Sequence, residues 1–395
     1  MTTNTATRLD ARVARTAFAG LAATLVGNGL GRFAYTPLIP ALVAAGWFTP
    51  TSTVYFAAAN LAGYFFGALG ARRISIFLGT IVTLRVAMIL TAMSLVACAW
   101  PLGTSWYFWW RLLAGATGGI LMVLAAPVAI ADTPPALRGR VTGIVITGVG
   151  LGMAMSGTIV PFLAREGLTT VWLALAGTAI LMTIYLWLAL PGEPSKGRRT
   201  RASDEMRGIP LPVVLLLIAY GFDALGFIPH TVFWVDYIAR GLGDGLTVGG
   251  GYWIAFGISA AAGPYLMGLL ADRVGFGTAY ILAMGTKAVG VALPLLSTQP
   301  AMLAISSVTV GALISGTTTL CSGWTAEQVG VTHHRQVWGW MTSAFALTQA
   351  MGGWGFSFLF TKTASYPLLF AVGAGTLVIG AVFAFVSRQA QSWST

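Results

Sequence analysis

Twelve long apolar stretches, separated by short polar segments, constrain this 395-residue chain more than any other feature. A helix needs about 20 apolar residues to cross the hydrocarbon core of a bilayer, and each stretch approaches or exceeds that length. Only 8% of the residues are charged, against about 25% in a typical soluble domain. The sequence therefore predicts an all-α polytopic membrane protein. Its twelve transmembrane helices are expected at about residues 16–46, 52–70, 74–99, 105–131, 141–164, 168–190, 210–239, 248–270, 276–297, 301–324, 337–360 and 367–387.

Basic residues fall mainly on one side of the predicted membrane. Fifteen of the 22 lysine and arginine residues lie in the two terminal tails or in the even-numbered loops. Because cytoplasmic loops are enriched in lysine and arginine, both termini are expected to be cytoplasmic, in a protein integral to the cytoplasmic (inner or plasma) membrane. The net charge of +11 is spread over these loops, which favours a lipid bilayer over nucleic acid as a partner.

The two halves of the chain repeat each other. The matching pieces are LGRF at 30–33 with LGFI at 225–228, GALGAR at 67–72 with GLLADR at 268–273, and Arg85 with Lys287. Parallel repeats of this kind are typical of secondary transporters, in which the substrate site lies near the bilayer midplane between the halves. A transport function is therefore the first hypothesis to consider.

The longest polar segment separates the two repeats. It covers residues 191–210 and is rich in lysine and arginine. We therefore expect an N-terminal six-helix bundle at 1–190, a basic cytoplasmic linker at 191–210 and a C-terminal six-helix bundle at 211–395. The two bundles are expected to be pseudo-symmetric, since they derive from the same repeat.

Arg32 lies near the middle of the first apolar stretch. A charge at the centre of a membrane helix costs about 2.5–3.5 kcal/mol, and such residues are usually functional. Asn28, Arg32 and Tyr35 or Thr36 share one face of a helix with 3.6 residues per turn. An amide, a guanidinium, a phenol and a hydroxyl on one face suit a carboxylate or polyol substrate. The alternative is a structural arginine that pairs with an acid or with carbonyl groups.

The seventh stretch holds the acids that lie deepest in the membrane. Asp223 and His230 are seven residues apart, hence on nearly one face, with Trp234 beside them. A carboxyl group shielded from water binds a proton more readily, and histidine titrates near neutral pH. We therefore predict that Asp223 and His230 carry proton coupling, and that Trp234 contacts substrate. The alternative is a salt bridge between Asp223 and Arg32.

Three further polar residues are candidates for contact with substrate. Arg111 lies towards the outer end of the fourth stretch, Thr319 belongs to a hydroxyl stripe in the tenth, and Gln349 shares a face with other polar and aromatic residues in the eleventh. Such stripes can line a cavity, but serine and threonine also form hydrogen bonds across membrane helices. Both interpretations remain open for Thr319 and Gln349.

Several motifs resemble those of the major facilitator superfamily. GLLADRVG at 268–275 is similar to its cytoplasmic G-x-L-A-D-R-x-G signature, and RLLAGATGG at 111–119 resembles its fourth-span R-x-x-x-G-x-x-G-G motif. GRFAYTPLIP at 31–40 resembles the first span of the YbfB/YjiJ-type branch. The first-half counterpart, GALGARRI at 67–74, has Ala71 where the family acid would stand. The resemblance covers essentially the whole chain and implies the fold of that superfamily, with alternating access.

The same resemblance implies a gate at the cytoplasmic ends of the second and eighth stretches. Its expected residues are Arg72, Arg73, Asp272 and Arg273. Charge pairs at such positions would break on one side of the membrane as the halves rock apart. The alternative is that these residues are surface charges that only fix topology.

Together these features favour a proton-coupled secondary transporter for a small polar solute. An organic anion is favoured, because intramembrane bases outnumber intramembrane acids. Proton-antiport efflux of hydrophobic or cationic compounds and a non-transporting membrane sensor remain alternatives. The sequence lacks paired catalytic carboxylates, an activated serine and a phosphate-binding loop, so no enzyme activity, cofactor or metal site is expected. The expected partners are a small-molecule substrate, protons and the lipid bilayer, with no nucleic acid, and we expect a monomer.

Overall fold

The computed structural model describes residues 10–392 except 132, 135–136, 191 and 193–207. Helices make up nearly all of this part of the chain, and no strand occurs in it. Ten of the described helices are long and apolar enough to cross a membrane. The remaining two crossings are an interrupted first span and the segment 331–363, which continues from the span before it. The prediction of an all-α protein with twelve membrane helices is confirmed.

We number the spans 1 to 12 in chain order. The uninterrupted spans are span 2, Pro50–Leu78; span 3, Thr80–Ala97; span 4, Thr104–Ile130; span 5, Arg138–Leu163; span 6, Leu168–Ala189; span 8, Gly245–Val274; span 9, Phe276–Leu296; and span 12, Tyr366–Ser392. Spans 10 and 11 form one helical run, Pro300–Thr363, which turns at Gly330 (φ 71°, ψ 167°). We refer to Pro300–Gly330 as span 10 and to 331–363 as span 11.

Spans 1 and 7 are interrupted and occupy equivalent positions in the two repeats. Span 1 consists of helices Ala11–Thr24 and Tyr35–Ala44 with the π-helical segment Leu25–Phe33 between them. Span 7 consists of helix Leu211–Gly226, π-helical turns Pro229–Phe233 and Tyr237–Gly241, and the short helix Trp234–Asp236. π-helical turns are rare in proteins as a whole, but many of those that occur are at functional sites. Their wider turn alters the regular backbone hydrogen bonding. Both interruptions therefore mark the middle of the bundle as the place to search for a site.

Spans 2 and 8 end in the same way, which makes the repeat visible in the structure. Gly79 and Gly275 follow them with φ of 85° and 79°, and each donates its N–H to a carbonyl in the preceding turn. Glycine adopts such positive φ values readily because it has no Cβ. The sequence predicted that these spans end at 70 and 270. The helices continue to Leu78 and Val274, so they include all of GALGARRI and all but the last glycine of GLLADRVG.

Helices also extend beyond the apolar stretches elsewhere. The sequence predicted a loop between 324 and 337, whereas the structure continues as helix on both sides of the turn at Gly330. The difference arises because hydropathy reports where a chain leaves the bilayer and not where its helix ends. The linker predicted at 191–210 lies outside the described residues except for 192 and 208–210.

Spans 2 and 4 pack very closely in the N-terminal half. A Cβ added at Gly63 or Gly115 would collide with the backbone of Leu112 or Asn60. Small residues allow membrane helices to approach in this way, and the interface holds both helices in a fixed register. Because Asn60 and Arg111 lie on these two spans, this packing fixes the backbone positions of two polar residues.

The two halves contact each other mainly through spans 1 and 7, 2 and 11, and 5 and 8. Trp253 Nε1 donates to Ser156 Oγ across spans 8 and 5 (3.1 Å), and Ser357 Oγ donates to the Val54 carbonyl across spans 11 and 2 (3.1 Å). Both hydrogen bonds lie towards one side of the bundle, which we call the closed end. It carries the loops at 45–49, 98–103, 164–167, 242–244, 297–299 and 364–365.

Candidate functional site

A narrow cavity lies between the two halves near the closed end, and Arg32 lines it. Arg32 is half-buried and belongs to the π-helical segment of span 1. Its guanidinium lies over the rings of Phe33 and Tyr64, 4.6 and 5.0 Å from their centroids. It forms no hydrogen bond or ion pair with another described residue. The Arg32 N–H groups are therefore available for bonding on the cavity side.

A second guanidinium, Arg111 from span 4, lines the same cavity. Its Nη1 donates to the Gly31 carbonyl (2.9 Å), and its Cζ lies 4.3 Å from the centroid of the Tyr35 ring. Arg111 is only 1% exposed, and its Nε and Nη2 atoms have no partner in the described part of the chain. Only part of its hydrogen-bonding capacity is thus used by the protein.

Asn60 from span 2 connects these elements. Its Nδ2 donates to the Gly31 carbonyl (3.2 Å) and to the Arg111 carbonyl (3.0 Å), while its Oδ1 has no described partner. The Gly31 carbonyl can accept bonds from both Asn60 and Arg111 because it belongs to the π-helical segment, whose backbone departs from regular α-helical bonding. The interruption of span 1 therefore positions the polar groups of the cavity.

The opposite wall of the cavity comes from span 7. Thr36 donates its hydroxyl to the Thr231 carbonyl, which joins spans 1 and 7 at one edge of the cavity. Thr36 and Thr231 are related by the same spacing as LGRF and LGFI, so the contact lies where the two repeats meet. The remaining lining residues are Phe33, Tyr35, Ile39, Ala57, Leu61 and Val232.

The cavity is positively charged. Its lining contains two arginines and no acidic side chain. The described buried carboxylates lie elsewhere and are paired, Asp223 with Lys287 and Asp236 with Arg240. Guanidinium groups form paired, charge-assisted hydrogen bonds to carboxylates, so this arrangement can bind a small anion.

Asp223 lies inside the C-terminal half and not beside Arg32. Lys287 Nζ of span 9 donates to Asp223 Oδ1 (2.7 Å) and to Thr317 Oγ1 of span 10 (2.9 Å). Asp223 Oδ2 is buried and has no partner among the described residues. The salt bridge considered between Asp223 and Arg32 is therefore wrong, because Asp223 is directed towards span 9.

His230 and Trp234 also lie within the C-terminal half. His230 Nε2 shares a hydrogen bond with Ser306 Oγ (2.8 Å), and its ring stacks on Trp234 at 4.4 Å. Trp234 Nε1 donates to Ser307 Oγ (2.9 Å). Both residues are fully buried and neither lines the cavity. The structure thus brings neither of them next to Arg32.

The other predicted site residues have separate environments. Asn28 Nδ2 makes a long hydrogen bond to the Gly118 carbonyl (3.4 Å), and Thr319 donates to the Ser315 carbonyl of its own helix (3.2 Å). Gln349 is buried, and neither atom of its amide has a described partner. Of the eight predicted substrate contacts, the cavity brings four together. They are Arg32, Tyr35, Thr36 and Arg111.

A family model described as "Uncharacterised MFS-type transporter YbfB" matches residues 24–385. The chain belongs to this family. Two solved structures with a similar fold are a crystal structure of a D-xylose-proton symporter (TM-score 0.76, 17% identity, covering 93% of this chain and 96% of that one) and the xylose transporter XylE from E. coli in an inward-open conformation (TM-score 0.74, 16% identity, covering 95% and 96%). At these identities the similarity concerns the fold alone. Membership of the YbfB-type family makes the protein a transporter of the major facilitator superfamily.

The gate residues predicted for this MFS transporter lie at the ends of spans 2 and 8 opposite the closed end. Arg72, Arg73, Asp272 and Arg273 are exposed. In the described part of the chain, none of their side chains forms an ion pair or a hydrogen bond. Their gating role stays a prediction.

The sequence analysis assigned no role to two polar residues of this MFS transporter, Asn60 and Thr231, and no definite role to a third, Arg85. Asn60 is an isolated amide in an otherwise apolar part of span 2, and that isolation was the available signal. Thr231 gave no signal, because it acts through its backbone carbonyl. Arg85 donates to the Leu190 carbonyl (2.6 Å) and stacks on Trp187 at 4.3 Å, so it caps the end of span 6.

Proposed function

We propose that this protein is a proton-coupled secondary transporter that moves a small organic anion across the cytoplasmic membrane by alternating access. One observation carries the proposal: Arg32 and Arg111 line one cavity between the halves, and no acidic residue lines it with them. A buried cation without a counter-ion is unfavourable in a membrane. A bound anion would remove that penalty at the point where both halves can contact it.

The groups around the two arginines match an oxyanion of modest size. Arg111 keeps two nitrogen atoms, Nε and Nη2, without described partners, and Arg32 keeps its whole guanidinium. The hydroxyl groups of Tyr35 and Thr36 already donate to carbonyls, so their oxygens can only accept further bonds. We therefore assign carboxylate binding to the arginines, and we assign selectivity for the rest of the solute to Asn60 and the apolar lining.

The other assigned residues lie outside the cavity. We retain Asn28, Trp234, Thr319 and Gln349 as candidate substrate contacts in a conformation in which the halves have moved. Gln349 has the best support among them, since its buried amide has no described partner. Proton coupling is assigned to Asp223 and His230, and gating to the four charged residues at the ends of spans 2 and 8.

Alternating access requires that the interface between the two bundles can open while the packing inside each bundle stays intact. The contacts between spans 5 and 8 involve small residues, with Gly150 against Gly257 and Gly157 against Gly250. Such smooth surfaces suit a rocking motion of one bundle against the other. We propose a monomer with bundles at 1–190 and 211–395, both termini in the cytoplasm and the closed end outside.

A binding and flux experiment tests the proposal. We would screen the purified protein by thermal shift against monocarboxylates, dicarboxylates, sugars and lipophilic cations, and then measure flux of the best ligand into proteoliposomes. Arg32→Ala is expected to weaken carboxylate binding about 10- to 100-fold, since a hydrogen bond to a charged group contributes about 1.5–3 kcal/mol. Arg85→Ala is the matched control, because Arg85 is an intramembrane arginine outside the cavity.

Other outcomes would favour the alternatives. Resistance to lipophilic cations that is lost in Asp223→Asn would indicate efflux by proton antiport. Ligand binding without flux would indicate a sensor. Carboxylate flux that is equal in Arg32→Ala and wild type would contradict the proposed anion site.

A further inference from the structure

We propose that Asp223 and Lys287 form the proton-coupling pair, with Asp223 Oδ2 as the atom that accepts the proton and Lys287 as a positioning residue. The proposal rests on the proposed transport function and replaces His230 with Lys287 as the partner of Asp223. It follows from the hydrogen bonds of the two groups and from the distribution of charge between the halves.

The two oxygens of Asp223 are not equivalent. Oδ1 accepts a hydrogen bond from Lys287 Nζ at 2.7 Å, whereas Oδ2 is buried without a described partner. Both side chains are at most 1% exposed. A proton that arrives from water can bond to Oδ2 without displacing the lysine first. The Oδ2–H bond forms, no covalent bond breaks, and the ion pair becomes a neutral acid beside a cation.

Lys287 retains other partners after that step. Its Nζ donates to Thr317 Oγ1 at 2.9 Å and lies 4.9 Å from the centroid of the Phe227 ring. Thr317 can receive this bond because its own hydroxyl proton is donated to the Leu313 carbonyl. A hydroxyl oxygen and an aromatic face both stabilise an ammonium group. The lysine can therefore remain charged while the carboxylate is protonated.

No other charged group among the described residues faces Asp223. The titratable groups within electrostatic range are Tyr220 on its own span, Tyr280 on span 9 and Cys321 on span 10. Phenol and thiol groups are neutral near pH 7. Lys287 is therefore the described group that sets the charge opposite Asp223.

His230 is a weaker candidate for the partner role. Its described side-chain contacts, Ser306 and the rings of Trp234 and Phe370, are all uncharged. A protonated imidazole there would be a buried charge without a counter-ion, which is unfavourable. Its hydrogen bond to Ser306 instead fixes the position of span 7 against span 10.

Charge balance links the pair to the anion cavity. A proton on Asp223 raises the charge of the C-terminal half by one, and a monoanion at Arg32 and Arg111 lowers the charge of the N-terminal half by one. The membrane-embedded region then carries the same total charge when loaded as when empty. Cotransport of one proton with one monoanion thus avoids moving net charge through the low-dielectric interior.

The fold provides a short connection between the two sites. Asp223 lies in the last turn of helix Leu211–Gly226. Thr231 lies in the π-helical turn Pro229–Phe233 that follows, where its carbonyl accepts the Thr36 hydroxyl at the edge of the cavity. Loss of the ion pair would remove the contact that holds helix Leu211–Gly226 of span 7 to span 9. Span 7 could then shift at its interruption relative to the contact with span 1.

Infrared difference spectroscopy tests the proposal with the proton as the only probe. The full-length protein in phosphatidylethanolamine and phosphatidylglycerol vesicles is titrated from about pH 9 to about pH 4, a range that spans ordinary carboxyl titration. Wild type is expected to gain a carboxylic-acid C=O band that is absent in Asp223→Asn. In Lys287→Met the band is expected at a pH about 1–3 units higher, because the opposite charge is gone.

Asp236 provides the matched control. It is also a buried carboxylate on span 7, but both of its oxygens have partners. Oδ1 accepts a hydrogen bond from Arg240, and Oδ2 accepts hydrogen bonds from Arg240 and Tyr366. Asp236→Asn is expected to leave the titrating band in place, and so is His230→Phe. A band that survives Asp223→Asn, or a midpoint that does not move in Lys287→Met, would overturn the proposal.

A stability comparison keeps the proposal testable if a single variant does not fold. Asp223→Asn and Lys287→Met each leave one buried charge without its counter-ion, whereas the double variant removes both charges. The double variant is expected to recover most of the lost melting temperature. A double variant no more stable than the single variants would contradict the pairing.

The proposed function and the pair can fail separately. Loss of carboxylate flux in Arg32→Ala, together with no titrating band at Asp223, would refute the proposed proton-coupling pair and support the anion site. A band that follows Asp223 and Lys287, together with no carboxylate binding, would support a protonation switch and refute the anion site.

Discussion

The two halves of this transporter share one architecture but treat their buried cations in opposite ways. In the N-terminal half, Arg32 contacts aromatic rings and Arg111 donates to a backbone carbonyl, so both retain unused N–H donors. In the C-terminal half, Lys287 is bonded to a carboxylate and a hydroxyl. A cation with unused donors can take a ligand from outside, whereas a cation with a counter-ion responds to a change in that counter-ion.

Positions related by the repeat show where this difference lies. Arg85 and Lys287 correspond in sequence, yet Arg85 caps the end of span 6 and Lys287 faces the interior of its bundle. Asn28 corresponds to Asp223 and bonds only to a carbonyl. At the position that corresponds to Asp223 the N-terminal half thus has an amide in place of an acid, and its two cavity arginines have no counter-ion among the described residues.

The largest loss of stability is expected for a substitution at Lys287, and it tests whether the two halves use their buried cations differently. Lys287→Met leaves the carboxylate of Asp223 buried without a counter-ion, which typically costs about 3–5 kcal/mol. Arg85→Met is the repeat-related control and removes two backbone hydrogen bonds of a half-buried group, for an expected loss of about 1–2 kcal/mol. Thermal melting of the purified variants in detergent measures both. Equal losses would show that the two halves use these cations alike.

A second experiment gives the N-terminal half an internal counter-ion. Ala57 lines the same cavity as both arginines, so Ala57→Asp places a carboxylate in the cavity where we propose that the substrate anion binds. Carboxylate affinity is expected to fall about 10- to 100-fold relative to Ala57→Asn, which has the same size without the charge. Isothermal titration with the best-stabilising carboxylate of the thermal-shift screen measures the effect. Equal affinities in the two variants would argue against an anion site at this position.

The smallest expected effect concerns the contact between the halves. Thr36→Val removes the hydroxyl that reaches the Thr231 carbonyl, so a destabilisation of about 1 kcal/mol is expected. Thr231→Val removes only weak bonds within span 7, 3.3 and 3.4 Å long, and is expected to change stability by less than about 0.5 kcal/mol. Chemical denaturation in detergent compares the two. A larger loss in Thr231→Val would reverse the roles we assign to these repeat-related threonines.

Much of the fold could be predicted from the sequence, because the bilayer imposes length and hydropathy on every span. The twelve helices and their pairing into two repeats followed from apolar stretches and from short matching motifs. Pro37 and Pro40 favour a kink or an unwound turn in span 1, but they do not indicate the π-helical segment that precedes them, and the interruption of span 7 was not predicted. The continuation of helix on both sides of Gly330 was also hidden, because polar residues can continue a helix outside the bilayer.

The candidate site was only partly predictable. Helical periodicity placed Arg32 and Tyr35 or Thr36 on one face, and the cavity brings all three together. The partner of Asp223 could not be identified, because periodicity along one helix does not tell which other helix lies opposite. Asn60 was overlooked for a related reason: its contacts depend on the close approach of spans 2 and 4, which only the packed structure reveals.

The π-helical segment of span 1 has a consequence for how this transporter tolerates insertions and deletions. A π-helical turn holds about one residue more than the α-helical turn it replaces, because its backbone hydrogen bonds join residues five apart and not four. Removing a single residue from Leu25–Phe33 is therefore expected to restore regular α-helical bonding while the helices on either side keep nearly the same orientation. The Gly31 carbonyl would then bond within its own helix in place of Asn60 and Arg111, so a one-codon deletion would alter the cavity and still leave a span that crosses the bilayer.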